Sequence, residues 1–297
     1  MRDLPDRRVE LRGDARGGVG KPELPAYTPM ILPDADFAEV DFYAASVRVL
    51  NKAGVEFRVG GAYALRQYTG VFRDTKDFDI FLRPNDVPMA LQALRKAGYR
   101  AEVTFAHWLA KAHHGEAFID LIYSSGNGAC TVDDGWFRAS EHAELLGEHV
   151  LLVPVEEMIW QKAYIQERER FDGADVAHLL RCRAGDLDWK HLRALFGPDA
   201  RVLLSHLVLF GFIYPGERHL IPSGFLGGLM DELRGELGPA PTKEKLCRGT
   251  LLSRAQYLPD IERWGYADAR SAESRSAMTS AEIEAWTDAI GKERAWA

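Results

Sequence analysis

The chain has 297 residues, 46% hydrophobic and 27% charged, enough to bury the core of one large domain or two modest ones. Its formal net charge of -7 argues against a general coat protein for duplex DNA, which would be basic. RNA stays open as a partner, because a local basic groove can coexist with an acidic average. The three cysteines, Cys130, Cys182 and Cys247, lie far apart without a CxxC pair, which fits reduced thiols in a cytoplasmic protein.

Residues 1–33 interleave Arg, Asp and Glu with Gly and Pro and read as a flexible N-terminal arm, with no apolar core of a secretory signal. From Asp34 to Ala53 the apolar residues Phe37, Val40, Ala44, Val47 and Leu50 recur at helical spacing, with Asp36 as cap and Gly54 as stop. A strand follows at Val55–Val59, then Gly60-Gly61, a helix over Ala62–Tyr68, and a strand over Asp77–Leu82. Asn85 or Asp86 caps a further helix carrying Pro88 in its first turn and the stripe Leu91, Leu94 and Ala97, closed by Gly98. Tyr99–Thr104 reads as a strand, and Trp108–His113 with Glu116–Tyr123 as an antiparallel pair about Gly115. One or two short strands occupy 129–153.

Beyond Pro154 the pattern turns helical, over Glu156–Arg170, 173–183, 188–196, 200–212 and Leu226–Leu237, with Thr279-Ser280-Ala281-Glu282 spaced as a capping box for a terminal helix. The expected architecture is α/β, a small mixed sheet at 34–153 followed by a mainly helical domain at 154–297. The longest apolar run, Val202–Ile213, is too short to span a bilayer and reads as a buried helix, so no membrane association is expected.

The chemistry concentrates in Val59–Leu82. Strand side chains alternate, so Asp77 and Asp79 share one face while Phe78 and Ile80 take the other. Two neighbouring carboxylates repel unless a cation or proton lies between them, and Mg²⁺ favours carboxylates together with substrate phosphates. The Gly60-Gly61 turn lets backbone approach a ligand closely, and the helix behind it offers free N–H groups and a positive dipole end to a phosphate.

A hydrophobic residue, Gly-Gly, a helix and then Asp-x-Asp in a strand resembles the DNA-polymerase-β-type nucleotidyltransferase superfamily. Arg73-Asp74-Thr75-Lys76-Asp77-Phe78-Asp79 is similar to the Arg-x-Thr-x-Asp-x-Asp form of its small prokaryotic branches, which include toxin-type enzymes of toxin–antitoxin and phage-defence systems. The resemblance implies a third carboxylate on a later strand, matched by Asp120 in Phe118–Tyr123, and two Mg²⁺ ions held by Asp77, Asp79 and Asp120. It also implies an NTP substrate. Gly60 and Gly61 would hold its phosphates, Thr75 would bond a phosphate or cap the strand, and Arg73 would contact the nucleotide or pair with Asp74 or Asp79. In the toxin-like branch a later helix carries a lysine, matched by Lys162, followed by a basic-x-x-Asp element, matched by Asp172-Gly173-Ala174-Asp175 except that Asp172 stands in the basic position. Lys162 on the β- and γ-phosphates is chemically sensible, and a surface helix lysine is the plain alternative.

The activity expected is Mg²⁺-dependent transfer of an NMP from an NTP to a hydroxyl, on an RNA 3′ end such as tRNA or on a protein, with a cognate antitoxin as a further partner. A small-molecule enzyme resembling aminoglycoside nucleotidyltransferases and a catalytically silent nucleotide- or partner-binding module are the alternatives. His107, His113 and His114 are not expected to form a metal site, because adjacent strand residues face opposite sides and no Cys lies nearby.

Overall fold

A computed structural model describes residues 37–72, 75, 77–239, 243–272 and 278–290. The N-terminal arm, the Asp36 cap and Arg73 lie outside these. The chain runs α1 (Phe37–Lys52), β1 (Arg58–Val59), α2 (Gly61–Thr69), β2 (Asp77–Phe81), α3 (Val87–Lys96), β3 (Arg100–Phe105), β4 (Leu109–His114) and β5 (Ala117–Ile122). A hairpin, β6 (His142–Leu145) and β7 (Glu148–Leu151), leads into α4 (Val155–Ala163), α5 (Gly173–Arg183), α6 (Trp189–Phe196), α7 (Ala200–Ile213) and α8 (Ser223–Leu237). Short elements close the chain: β8 (Leu246–Cys247), α9 (Leu258–Glu262), β9 (Ala267–Asp268), α10 (Ala269–Ala272) and α11 (Ser280–Asp288). This is the expected α/β architecture, a small mixed sheet followed by a mainly helical region.

The five-stranded sheet has the order β1-β2-β5-β4-β3. β2 and β5 are parallel, and the other neighbours are antiparallel. Alternation divides the sheet as the sequence requires. Phe78, Ile80, Ile119, Leu121, Ala110 and Ala112 are fully buried. Phe78 stacks on Tyr43 of α1 at 5.3 Å and meets Tyr63 of α2 edge-on at 4.9 Å, within the range of favourable aromatic pairs. One hydrophobic cluster continues from this face through α4, α5 and α7 to Ala269. α5 packs on both α2 and α4.

Three expectations are corrected. The first strand is only Arg58–Val59, because only these residues pair with β2, opposite Phe81 and Ile80, while Val55 and Phe57 enter the core without a ladder partner. The helix after Pro154 stops at Ala163 rather than Arg170. The chain then folds back, with Asp172 N–H donating to the Ile165 carbonyl and Gln166 bridging to Phe171, which returns Asp172 to Lys162. Ala97 is exposed rather than part of its helix's buried stripe, because it lies past the last helical turn as the C-cap. The terminal capping box is present, with Thr279 and Glu282 bonded reciprocally.

α6, the turn at 197–199 and α7 form a helical stretch, Trp189–Ile213, long and apolar enough by length and composition to cross a membrane. It turns Leu203, Leu207 and Phe210 into the core and leaves Val208 and Phe212 exposed.

Candidate active site

Register builds the site. In the parallel pair β2–β5, Asp79 lies directly opposite Asp120 and Asp77 opposite Phe118, so the three aspartates share one face. One carboxylate oxygen from each lies within 4.8 Å of the others, a spacing that fits a divalent cation between them. Among the described residues this is the one group of His, Cys, Asp and Glu so spaced. His107 instead bonds the Gly126 carbonyl through Nε2.

Both glycines have a steric reason. The Gly60 N–H donates to the Asp79 carbonyl at 3.0 Å, locking the turn onto β2. A Cβ at Gly60 would lie 2.2 Å from the Phe81 ring. Gly61 has φ +55°, in the left-handed region that favours glycine, and its Cβ would lie 1.7 Å from Asp79 Oδ2. The first turn of α2 therefore abuts the Asp79 carboxylate, where its N–H groups suit an anion. Thr75 Oγ1 donates to Asp77 Oδ1, so the hydroxyl orients a carboxylate of the triad.

Lys162 is buried rather than a surface lysine. Its Nζ sits 2.9 Å from Asp172 Oδ2 and 2.8 Å from Asp175 Oδ2. Asp172 also accepts from Arg170 Nε at 3.0 Å. Asp172 and Asp175 thus serve the lysine, and the Asp172 side chain makes no capping hydrogen bond to α5.

Two cations escaped the sequence reading. Arg170 stands close enough to Asp79 and Asp77 to couple with their charges. Lys111 lies opposite Asp120 on β4, with Nζ 2.7 Å from Asp120 Oδ1. Hairpin arithmetic about Gly115 would have found Lys111; nothing in the sequence alone marks Arg170.

The electrostatics describe a site short of positive charge. Burial, and then the charges of Asp77 and Asp120, push the Asp79 carboxyl well above the usual range, against opposing pulls from Arg170 and Lys162. Burial pushes Asp120 up to about 6, with Lys111 holding it back. A raised carboxyl pKa means that the folded state holds its proton longer than the unfolded chain, so its contribution to stability is present at low pH and is lost as pH rises through the folded pKa. Asp79→Asn removes this cost. Metal-free Asp79→Asn is expected to melt about 2–4 °C above wild type at pH 7, for roughly 1 kcal/mol of relieved repulsion, and the gain is expected to vanish near pH 4. Calorimetry in EDTA at both pH values checks this. A variant no more stable than wild type at pH 7 would mean that the carboxylates are already compensated.

No family model matches the chain, and no curated protein matches it. Solved structures do. The solution structure of the antibiotic-resistance factor ANT(2'')-Ia aligns with 58% of this chain and 98% of its own at 16% identity and a TM-score of 0.41. The lincomycin-bound lincosamide antibiotic adenylyltransferase LnuA aligns with 50% of this chain and 99% of its own, at 16% identity and a TM-score of 0.36. An antigenic nucleotidyltransferase-like protein from Paracoccidioides brasiliensis aligns with 56% of this chain and 88% of its own, at 14% identity and a TM-score of 0.35. Likenesses this distant leave the functional assignment to the residues of the chain itself.

Proposed function

We propose that the protein is a metal-dependent nucleotidyltransferase that moves an NMP from an NTP to a hydroxyl acceptor. The observation that carries this reading is the convergence of Asp77, Asp79 and Asp120 within 4.8 Å, directly beneath the glycine turn that opens α2. Asp77 and Asp79 would hold two Mg²⁺ ions with the triphosphate, and Asp120 would join them on the catalytic side. Bound metal there would supply stabilisation of the attacking and leaving oxygens.

The chain's own groups divide the remaining work. Thr75 fixes the rotamer of Asp77 through its hydroxyl. The glycine turn presents the N–H groups of α2 to the phosphates, with no Cβ to fill the space against Asp79. Lys162 and Arg170, held by Asp172 and Asp175, face Asp79 from the helical region, where they would meet the β- and γ-phosphates. In this reading Asp120 would ligate the catalytic ion and help to accept the proton of the acceptor hydroxyl.

The acceptor is a hydroxyl on RNA, such as a tRNA 3′ end, or on a protein, in the manner of the toxin-type enzymes whose motif the sequence resembles; a cognate antitoxin and a cytoplasmic setting belong to the same reading. The Arg-x-Thr-x-Asp-x-Asp form and the Lys162–Asp175 pairing favour it. The second reading is transfer to a small polyol, the chemistry of the aminoglycoside-type enzymes that the core motif also resembles. Incubation with each of four α-³²P NTPs, Mg²⁺, and total RNA, the protein itself or an aminoglycoside pool separates them. Label in RNA or protein is expected; label confined to the aminoglycosides would overturn the first reading in favour of the second.

A further inference from the structure

The charges around the triad do not balance evenly. Lys162 and Arg170 reach toward Asp79 but are matched by Asp172 and Asp175, which bond them directly. Among the described residues, Lys111 is the cation ion-paired with the triad itself. Sheet register puts it there. Asp79, Asp120, Lys111 and Glu102 stand opposite one another across β2, β5, β4 and β3, so all four project from the same face. The ammonium also lies 4.1 Å from the centroid of the Phe118 ring, a cation–π contact that fixes it beside Asp120. Lys111 is 23% exposed and Asp120 12%, so the pair is only lightly screened by solvent.

Resting on the metal-dependent reading above, we propose that Lys111 is the resident counter-cation of the carboxylate site. It positions Asp120 by holding Oδ1, leaves Oδ2 for an ion, and limits how strongly the nucleotide-free site takes up divalent metal. The physical basis is competition. An ammonium 2.7 Å from one ligand oxygen repels a second cation arriving at the same carboxylate, and it also takes up one of the lone-pair directions an ion would use. The triad with Lys111 then carries a smaller deficit of positive charge than the triad alone. A triphosphate, which adds negative charge, shifts the balance toward metal, so full loading is tied to the arrival of the nucleotide. A structural lysine predicts the opposite for its removal: a loosened Asp120 and weaker metal binding.

The test is Mn²⁺ titration of the full chain without nucleotide, followed by the EPR signal of free Mn²⁺. Lys111→Met is expected to bind Mn²⁺ at least about tenfold tighter than wild type, the scale of one unit charge beside a partly solvated site. Lys111→Arg, which keeps the cation, is expected to bind no tighter than wild type. Because Lys111→Met strands a buried carboxylate, Lys111→Gln keeps a donor to Asp120 without the charge and gives the same reading if the methionine variant does not fold. Tight binding should also appear as a larger Mn²⁺-induced rise in Tm than in wild type. Folded Met and Gln variants that bind Mn²⁺ as weakly as wild type, or more weakly, overturn the role of Lys111 alone, provided wild type binds Mn²⁺ and Asp79→Asn does not. A wild-type protein that binds no Mn²⁺ through Asp79, with or without ATP, overturns the metal reading and this proposal together.

Discussion

Asp79→Ala is expected to lower nucleotidyl transfer by roughly 10³-fold or more while leaving the protein folded, since losing metal stabilisation of the transferring phosphoryl group costs several kcal/mol at about 1.4 kcal/mol per decade. Asp79 occupies the centre of the site. It faces Asp120 across the parallel pair, shares its strand face with Asp77, and underlies the glycine turn. Its placement is a functional cost, since burial first, and then neighbours of like charge, hold its carboxyl well above its ordinary pKa. Truncating it relieves that repulsion, so circular dichroism and melting should report a chain at least as stable as wild type. Asp77→Ala should behave alike, with Thr75 losing its acceptor. Transfer that survives in the Asp77/Asp79 double variant would end the metal assignment.

Gly61→Ala is expected to lose about 10²-fold in transfer, the scale of a catalytic group displaced by about 1 Å. The added methyl would fall 1.7 Å from Asp79 Oδ2, so the carboxylate or the first turn of α2 must move. The left-handed backbone adds about 1–2 kcal/mol of destabilisation for a residue with a Cβ. Gly54→Ala is the matched control, because Gly54 also has positive φ, +73°, but its Cβ would meet nothing within 4 Å. Both variants should melt lower, and only Gly61→Ala should lose activity. Equal activity losses would show that the close approach to Asp79 has no catalytic consequence.

Much of the site was legible because it depends on periods and turns. The alternation in Asp77–Phe81 placed two aspartates on one face, and a glycine pair before a helix marked the close approach that Gly61 makes. Asp120 could be placed on a strand, but its register against Asp79 is a long-range pairing that local patterns do not encode. Lys111 is the instructive omission: a lone lysine in an apolar strand, nine residues before Asp120, is fixed opposite it by the tight turn at Gly115. Lys162 reads in sequence as a phosphate ligand or, alternatively, a surface helix lysine, and neither reading includes its pairing with Asp172 and Asp175, because its helix is expected to continue to Arg170. The early stop at Ala163 is what folds Asp172 back and buries the ammonium. That stop has no proline or glycine to announce it and is decided by tertiary contacts.

The most direct measurement of the central claim is a paired reaction with α-³²P and γ-³²P ATP, Mg²⁺ and total RNA or the protein itself as acceptor, using wild type and Asp79→Asn. A triad that performs nucleotidyl transfer predicts α-label in the acceptor, γ-label released as pyrophosphate, and neither with Asp79→Asn or in EDTA. Acceptor carrying γ-label, or α-label that persists in Asp79→Asn, would contradict it.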